Sequence, residues 1–199
     1  MAVDVLVTEE LLDAVLAELA AHLPATWLQS GNATTEAALK VMECGDLMDY
    51  CGNDAGLIAD TPAVFVRPLE ATVADGHGGT GAVEVINHKF RLVHVRRFEQ
   101  CYTAAGVREK NMTRARMRYA KELGRALFAD KNKRLDNPTL TTATGSTAKI
   151  MIMTMDGWDF GTEAGGSSEV AVIRAVQSKG PQMWAISVDF TIMVRVTPT

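Results

Sequence analysis

The chain has 199 residues, a net charge of −4 and 47% hydrophobic side chains, which is ordinary composition for a globular protein. This length predicts a single domain spanning residues 1–199. The composition excludes a disordered chain, and three cysteines without a C-x-x-C pair exclude a disulfide-rich scaffold. No apolar window is long enough to cross a membrane and the start has no basic segment, so we expect no membrane partner, no secretory signal and folding in a cytoplasm.

The first predicted element is an amphipathic helix over residues 8–23. Thr8 is the expected N-cap and Pro24 the expected end. Residues 25–60 are interpreted as a partly helical insertion, in which Thr34 or Thr35 caps a second short helix. Its apolar residues are Leu39, Val41 and Met42, with Leu47 as a further candidate.

Two strands are predicted next, and a glycine-rich segment separates them. Residues 62–68 form a short apolar run bracketed by prolines, and residues 83–98 form a long strand. Residues 75–81 contain four glycines and suit a hairpin loop. The pattern therefore predicts an antiparallel hairpin.

The second half of the chain begins with a predicted helix over residues 111–129 and ends with the clearest strand pattern. The turn-rich segment 136–138 leads to a predicted strand at 149–155. A loop at 157–168 and a further strand at 169–177 follow. The last strand alternates strictly, with one apolar face that contains Trp184, Ile186, Val188, Phe190, Ile192, Val194 and Val196.

Catalytic and metal-binding signals are weak. The glycine-rich segment lacks the Gly-Lys-Ser/Thr ending of a phosphate loop. His88 and His94 share a strand face but lie about 20 Å apart on a straight strand, too far for one metal. Asp156 and Asp159 suggest a hydrolase with paired carboxylates, although turn residues are the preferred interpretation. We expect no catalytic residue, no cofactor and no metal.

Charge is distributed unevenly. Residues 89–134 carry a net charge of +10, and the remaining residues carry −14. This asymmetry is compatible with a solvated face, a nucleic-acid footprint or a subunit interface in which a basic face meets an acidic face. Of the two functional interpretations we favour the interface, because the overall charge is negative and no aromatic residues interleave the basic helix for base stacking. The candidate interaction residues are Arg108, Arg114, Arg118, Lys121 and Arg125.

The element order resembles that of the phage tail terminator (tail completion, or neck) family. The resemblance includes the N-terminal helix, the segments 62–66 and 88–95, the helix 114–128, the strand 150–155 and the closing segment 184–190. The predicted class is α+β, with a mixed, mainly antiparallel sheet flanked by two main helices and a long C-terminal strand.

This resemblance implies a non-enzymatic virion protein that assembles as a ring, expected to be a hexamer. Such a ring caps the tail tube protein, stops its polymerisation and joins the head connector or stopper protein. Genomic DNA passes through the lumen without sequence readout. The alternatives are a head-closure or tail-tube protein and, in a different class, a DNA-binding module that uses residues 108–134.

Overall fold

The computed structural model describes residues 7–28, 39–43, 62–74, 84–97, 112–128, 139–141, 145, 147–159 and 183–197. Within them lie two helices and six strands. In chain order these are α1 (Thr8–Leu28), β1 (Lys40–Glu43), β2 (Ala63–Val73), β3 (Glu84–Arg97), α2 (Met112–Phe128), β4 (Thr139–Thr141), β5 (Thr147–Asp159) and β6 (Met183–Thr197).

The six strands form one mixed sheet in the order β1-β2-β3-β6-β5-β4. β1 and β2 are parallel, and the other neighbouring pairs are antiparallel. The predicted α+β class is therefore confirmed. The chain's last strand lies inside the sheet, where β6 pairs with β3 along its length and with β5 on its other side.

Both helices pack on the same face of this sheet. A single apolar cluster joins α1 and α2 to one face of the sheet, to which β2, β3 and β6 contribute every second residue. We call this surface the covered face and the opposite surface the open face. At one end of the sheet the open face is buried as well, at Phe65 of β2 and at Val93 and Val95 of β3. The predicted alternation of β6 is confirmed, because Ile186, Val188, Phe190, Ile192, Val194 and Val196 are all buried on the covered face.

Two predictions for the first part of the chain are wrong. α1 does not end at Pro24 but continues to Leu28. The segment predicted as a short helix forms β1, which pairs with residues 63–66 of β2. Periodicity does not separate helix from strand in so short an apolar run. The neighbouring strand β2 supplies the backbone partners that decide in favour of β1.

The predicted hairpin is confirmed, because β2 and β3 are antiparallel neighbours. β2 nevertheless continues beyond Pro68, which was the predicted strand end, and the pairing register shifts between Pro68 and Glu70. A proline is tolerated at such a bulge. β1 pairs with β2 only as far as Val66, so Pro68 lies where the described sheet has no second neighbour that needs its missing N–H group. The predicted glycine-rich loop, residues 75–81, lies outside the described residues.

In the second half, the predicted helix is confirmed as α2. The loop predicted from residue 157 is partly wrong, since β5 continues through Gly157 to Asp159. The short strand β4 was not predicted. It pairs with the start of β5. Residues 160–168 and the strand predicted at 169–177 lie outside the described residues.

Two isoleucines in adjacent strands test which face of the sheet holds the core. Ile192 is fully buried on the covered face, whereas Ile152 is 51% exposed on the open face. Ile192→Ala should lower the free energy of unfolding by about 2–5 kcal/mol because it leaves a cavity. Ile152→Ala, the matched control, should cost less than about 1 kcal/mol. Urea denaturation measures both, and equal losses would contradict the assignment of the faces.

Candidate functional site

Four of the five candidate interaction residues lie in α2, spaced by four, three and four positions. At 3.6 residues per turn this spacing places Arg114, Arg118, Lys121 and Arg125 within an arc of roughly 60°. We call these four positions the basic face. Arg114 and Lys121 are exposed and Arg118 is half-buried. Arg108 lies outside the described residues.

The basic face also contains an exposed apolar side chain. Met117 is 55% exposed and lies one turn from both Arg114 and Lys121. An apolar side chain among cations gives this surface a component that does not depend on charge. Such a mixture is typical of protein–protein interfaces, in which methionine and arginine are enriched.

Like charges lie one turn apart along the basic face. Arg114 and Arg118 are four residues apart, as are Lys121 and Arg125, and like charges at this spacing cost roughly 0.2–0.5 kcal/mol per pair. Arg114 also lies in the first turn, where the helix dipole disfavours a cation and where α2 has no acidic residue. Glu122 lies four residues after Arg118 and three before Arg125, and opposite charges at these spacings attract, so part of the repulsion is offset within α2 itself.

The opposite side of α2 packs closely on the sheet. Tyr119, Ala120 and Leu123 are buried. A Cβ atom added at Gly124 would lie 3.1 Å from side-chain atoms of both Met155 and Trp158 in β5. The glycine, which weakens a helix in isolation, thus allows α2 to approach β5. This contact fixes the rotation of α2 and directs the basic face away from the sheet.

A polar cluster beneath α2 links the core to the basic face. The buried Arg96 of β3 donates a hydrogen bond from Nη1 to the hydroxyl oxygen of Tyr119. Its guanidinium carbon lies 4.5 Å from the centroid of the Tyr119 ring. The guanidinium carbon of Arg118 lies 6.0 Å from the same centroid. One aromatic ring therefore contacts a core arginine and a surface arginine, both within cation–π range.

His94 completes this cluster; it lies two residues before Arg96 on the same face of β3. Its ring centroid lies 5.6 Å from that of Tyr119, and its Nδ1 donates to the carbonyl oxygen of Ala63 over 3.0 Å. Burial lowers the pKa of His94 well below its usual value; the charge of Arg96 acts in the same direction, and the bond to Ala63 opposes both. His94 is therefore neutral near pH 7. In the described structure His94 packs beside Tyr119 and links β3 to the backbone of β2 at Ala63.

Sequence reasoning missed Arg96 and Tyr119 as parts of this cluster, although one signal was present. Arg96 continues the parity of His88, Phe90, Leu92 and His94, and that parity is the covered face. Because side chains alternate between the two faces of a strand, an arginine at that position points towards the core.

His88 forms a second polar contact between the sheet and a helix. It is buried on the covered face, and its Nδ1 lies 3.1 Å from the hydroxyl oxygen of Thr8. Thr8 was the predicted N-cap of α1, but the carbonyl oxygen of Val7 accepts the first helical bond from Leu11, so Val7 occupies the cap position. The Thr8 hydroxyl therefore contacts β3. Burial lowers the pKa of His88 to about 4.

The open face contains an ion pair and the first of the two aspartates considered for catalysis. Arg91 donates from Nε and Nη2 to the two carboxylate oxygens of Asp189, at 2.7 and 2.8 Å. Asp156 accepts hydrogen bonds from the hydroxyls of Thr191 and Thr154, at 2.6 and 3.2 Å.

Asp156 and Asp159 are strand residues of β5, so their interpretation as turn residues is wrong. No three His, Cys, Asp or Glu side chains in the described part of the chain lie close enough together to hold a metal ion.

The low pKa of His88 predicts a pH dependence of stability. Its unfolded-state value is 6.5 and its folded-state value about 4, so between these two pH values the unfolded chain binds more protons. This contribution to stability is complete above pH 6.5 and is lost as the pH falls towards 4. His88→Gln should therefore lose less stability than the wild type over this interval. Chemical denaturation at stepped pH measures the difference, and parallel curves would contradict it.

No protein-family model matches the chain, and no curated protein matches it. No helix among the described residues is long and apolar enough to cross a membrane. The resemblance to tail terminators therefore rests on the residues and element order quoted above.

Proposed function

We propose that this chain is a structural virion protein of a tailed phage. It assembles as a ring, expected to be a hexamer, that caps the tail tube, stops its polymerisation and forms the junction to the head connector or stopper. DNA passes through the ring without sequence readout. The protein performs no catalysis in this role, and its activity consists of contacts with its own copies and with the tube.

The observation that carries the proposal is the order of elements. An N-terminal helix, a hairpin, a second helix and a long closing strand are the elements on which the resemblance rests, and α1, β2–β3, α2 and β6 occur in that order. One fold hosts many functions, so the surfaces of the chain are a second and independent support for the proposal.

The charged surfaces give this support. A ring needs two different surfaces on each copy that fit one another head to tail and close after a fixed number of copies. The basic face of α2 supplies one such surface, and the strongly acidic remainder of the sequence provides candidates for the other. Electrostatic complementarity favours the correct register between copies and disfavours like-charged contacts.

Ring formation is the direct test of this function. Native mass spectrometry should show a hexamer, and negative-stain images of the same sample should show closed rings. Added to preformed tail tubes of its own phage, the protein should bind one end and stop further addition of tube subunits. Growth of tubes from the purified protein alone would instead identify a tube protein. Binding only to the head connector would identify a head-closure protein.

A DNA-binding module is the second candidate function, and the exposed cations of α2 favour it. A phosphate-binding surface predicts an association constant that falls steeply with salt, with a logarithmic slope of about −0.9 per phosphate contacted. Under this alternative, Arg114→Glu with Lys121→Glu should abolish binding to duplex DNA, measured by fluorescence anisotropy at low salt. We expect no measurable binding by the wild type, and tight salt-dependent binding would overturn the ring proposal in favour of this one.

A further inference from the structure

We propose that the basic face of α2 binds the acidic first turns of α1 from a second copy of this chain. The inference rests on the proposed function and deepens it, because it names the contact through which neighbouring subunits of the ring join. The acidic turns, called the acidic face below, are Glu9, Glu10 and Asp13. These side chains are accessible to a partner, because Glu9 and Asp13 are exposed and lie one turn apart, and Glu10 is partly exposed beside them.

The acidic face continues into a surface of small side chains. Ala17 and Ala20 are exposed on the same side of α1 as Glu9 and Asp13. The buried side of α1 contains its large apolar residues Leu11, Val15 and Leu19. The outward side of α1 is therefore acidic at its start and low in profile afterwards. A partner helix can approach it closely, and a long exposed side chain such as Met117 has room above the alanines.

Charge complementarity identifies the occupant. The acidic residues of α1 are stabilised where they are, because the first turn of a helix favours carboxylates. The cations of α2 have the opposite charge, and Arg114 and Lys121 among them are exposed. A carboxylate-bearing helix end placed on the basic face therefore meets cations across the contact. Because every copy of the chain carries this acidic face, a second copy can bind the basic face without any other partner.

A polyanion with a regular phosphate backbone fits this surface less well. Met117 lies among the cations of the basic face and is 55% exposed, and a phosphate backbone gains nothing from an apolar side chain. Tyr119 of α2 is buried against Arg96 and does not offer a ring for base stacking. The net charge of −4 also gives no long-range attraction to nucleic acid.

Charge reversal on each face, alone and together, tests the contact. Analytical ultracentrifugation should show self-association of the wild type that weakens as salt rises. Arg114→Glu with Lys121→Glu should weaken it roughly tenfold or more, and so should Glu9→Lys with Asp13→Lys. The chain with all four substitutions should regain association, as should an equimolar mixture of the two double variants, because each restores opposite charges across the contact.

The sheet supplies a matched control. Lys149 and Arg195 are exposed and paired across β5 and β6 on the open face. Lys149→Glu with Arg195→Glu makes the same change in charge as the α2 variant and should leave association unchanged. The α2 variant itself should remain folded in thermal melts, because Glu at position 114 suits the helix dipole.

Each outcome bears on the contact separately from the ring. A wild type that stays monomeric at every concentration overturns the contact, as does a four-fold variant that fails to regain association. Hexamers that survive both reversals overturn the contact and leave the ring in place. Dimers that obey the charge swap support the contact and overturn the ring.

Discussion

The structure depends on the burial of one face of β6 between β3 and β5 beneath both helices. Phe190 of β6 stacks on Phe90 of β3 at 5.5 Å between ring centroids, with an interplanar angle of 18°. Side chains alternate along a strand, so a slip of one residue would turn the entire apolar face of β6 towards solvent. The register of the central strands is therefore strongly specified, and β2 and β5 align on it.

The polar groups inside this core connect the sheet to the helices. His88 contacts Thr8 at the start of α1, and Arg96 bonds to Tyr119 of α2. Buried polar side chains are tolerated where hydrogen bonds compensate for the loss of water. The Arg96 contact also bears on function, because Tyr119 lies beside Arg118 and so the same ring positions the helix that carries the basic face.

α2 thus combines two requirements in one helix. Its inner side packs on β5 through Gly124 and on β3 through Tyr119. Its outer side carries closely spaced cations, of which Arg114 and Lys121 are exposed. One helix therefore provides both a packing surface and a charged surface. α1 differs, since its acidic first turn suits its own dipole and its outer side continues with alanines. The two helices of one layer therefore present outward surfaces of opposite charge.

The sequence by itself determined the elements whose apolar period is long and regular: α1, β3, α2 and β6, with the covered face of β6 assigned residue by residue. It also supplied Arg114, Arg118, Lys121 and Arg125 as candidate interaction residues on a predicted helix. Only the tertiary structure decided the rest. Residues 40–43 became a strand because β2 offered backbone partners, β2 passed Pro68 at a bulge, and β5 continued through Gly157. Such choices depend on partners far away in the chain, which local periodicity does not contain.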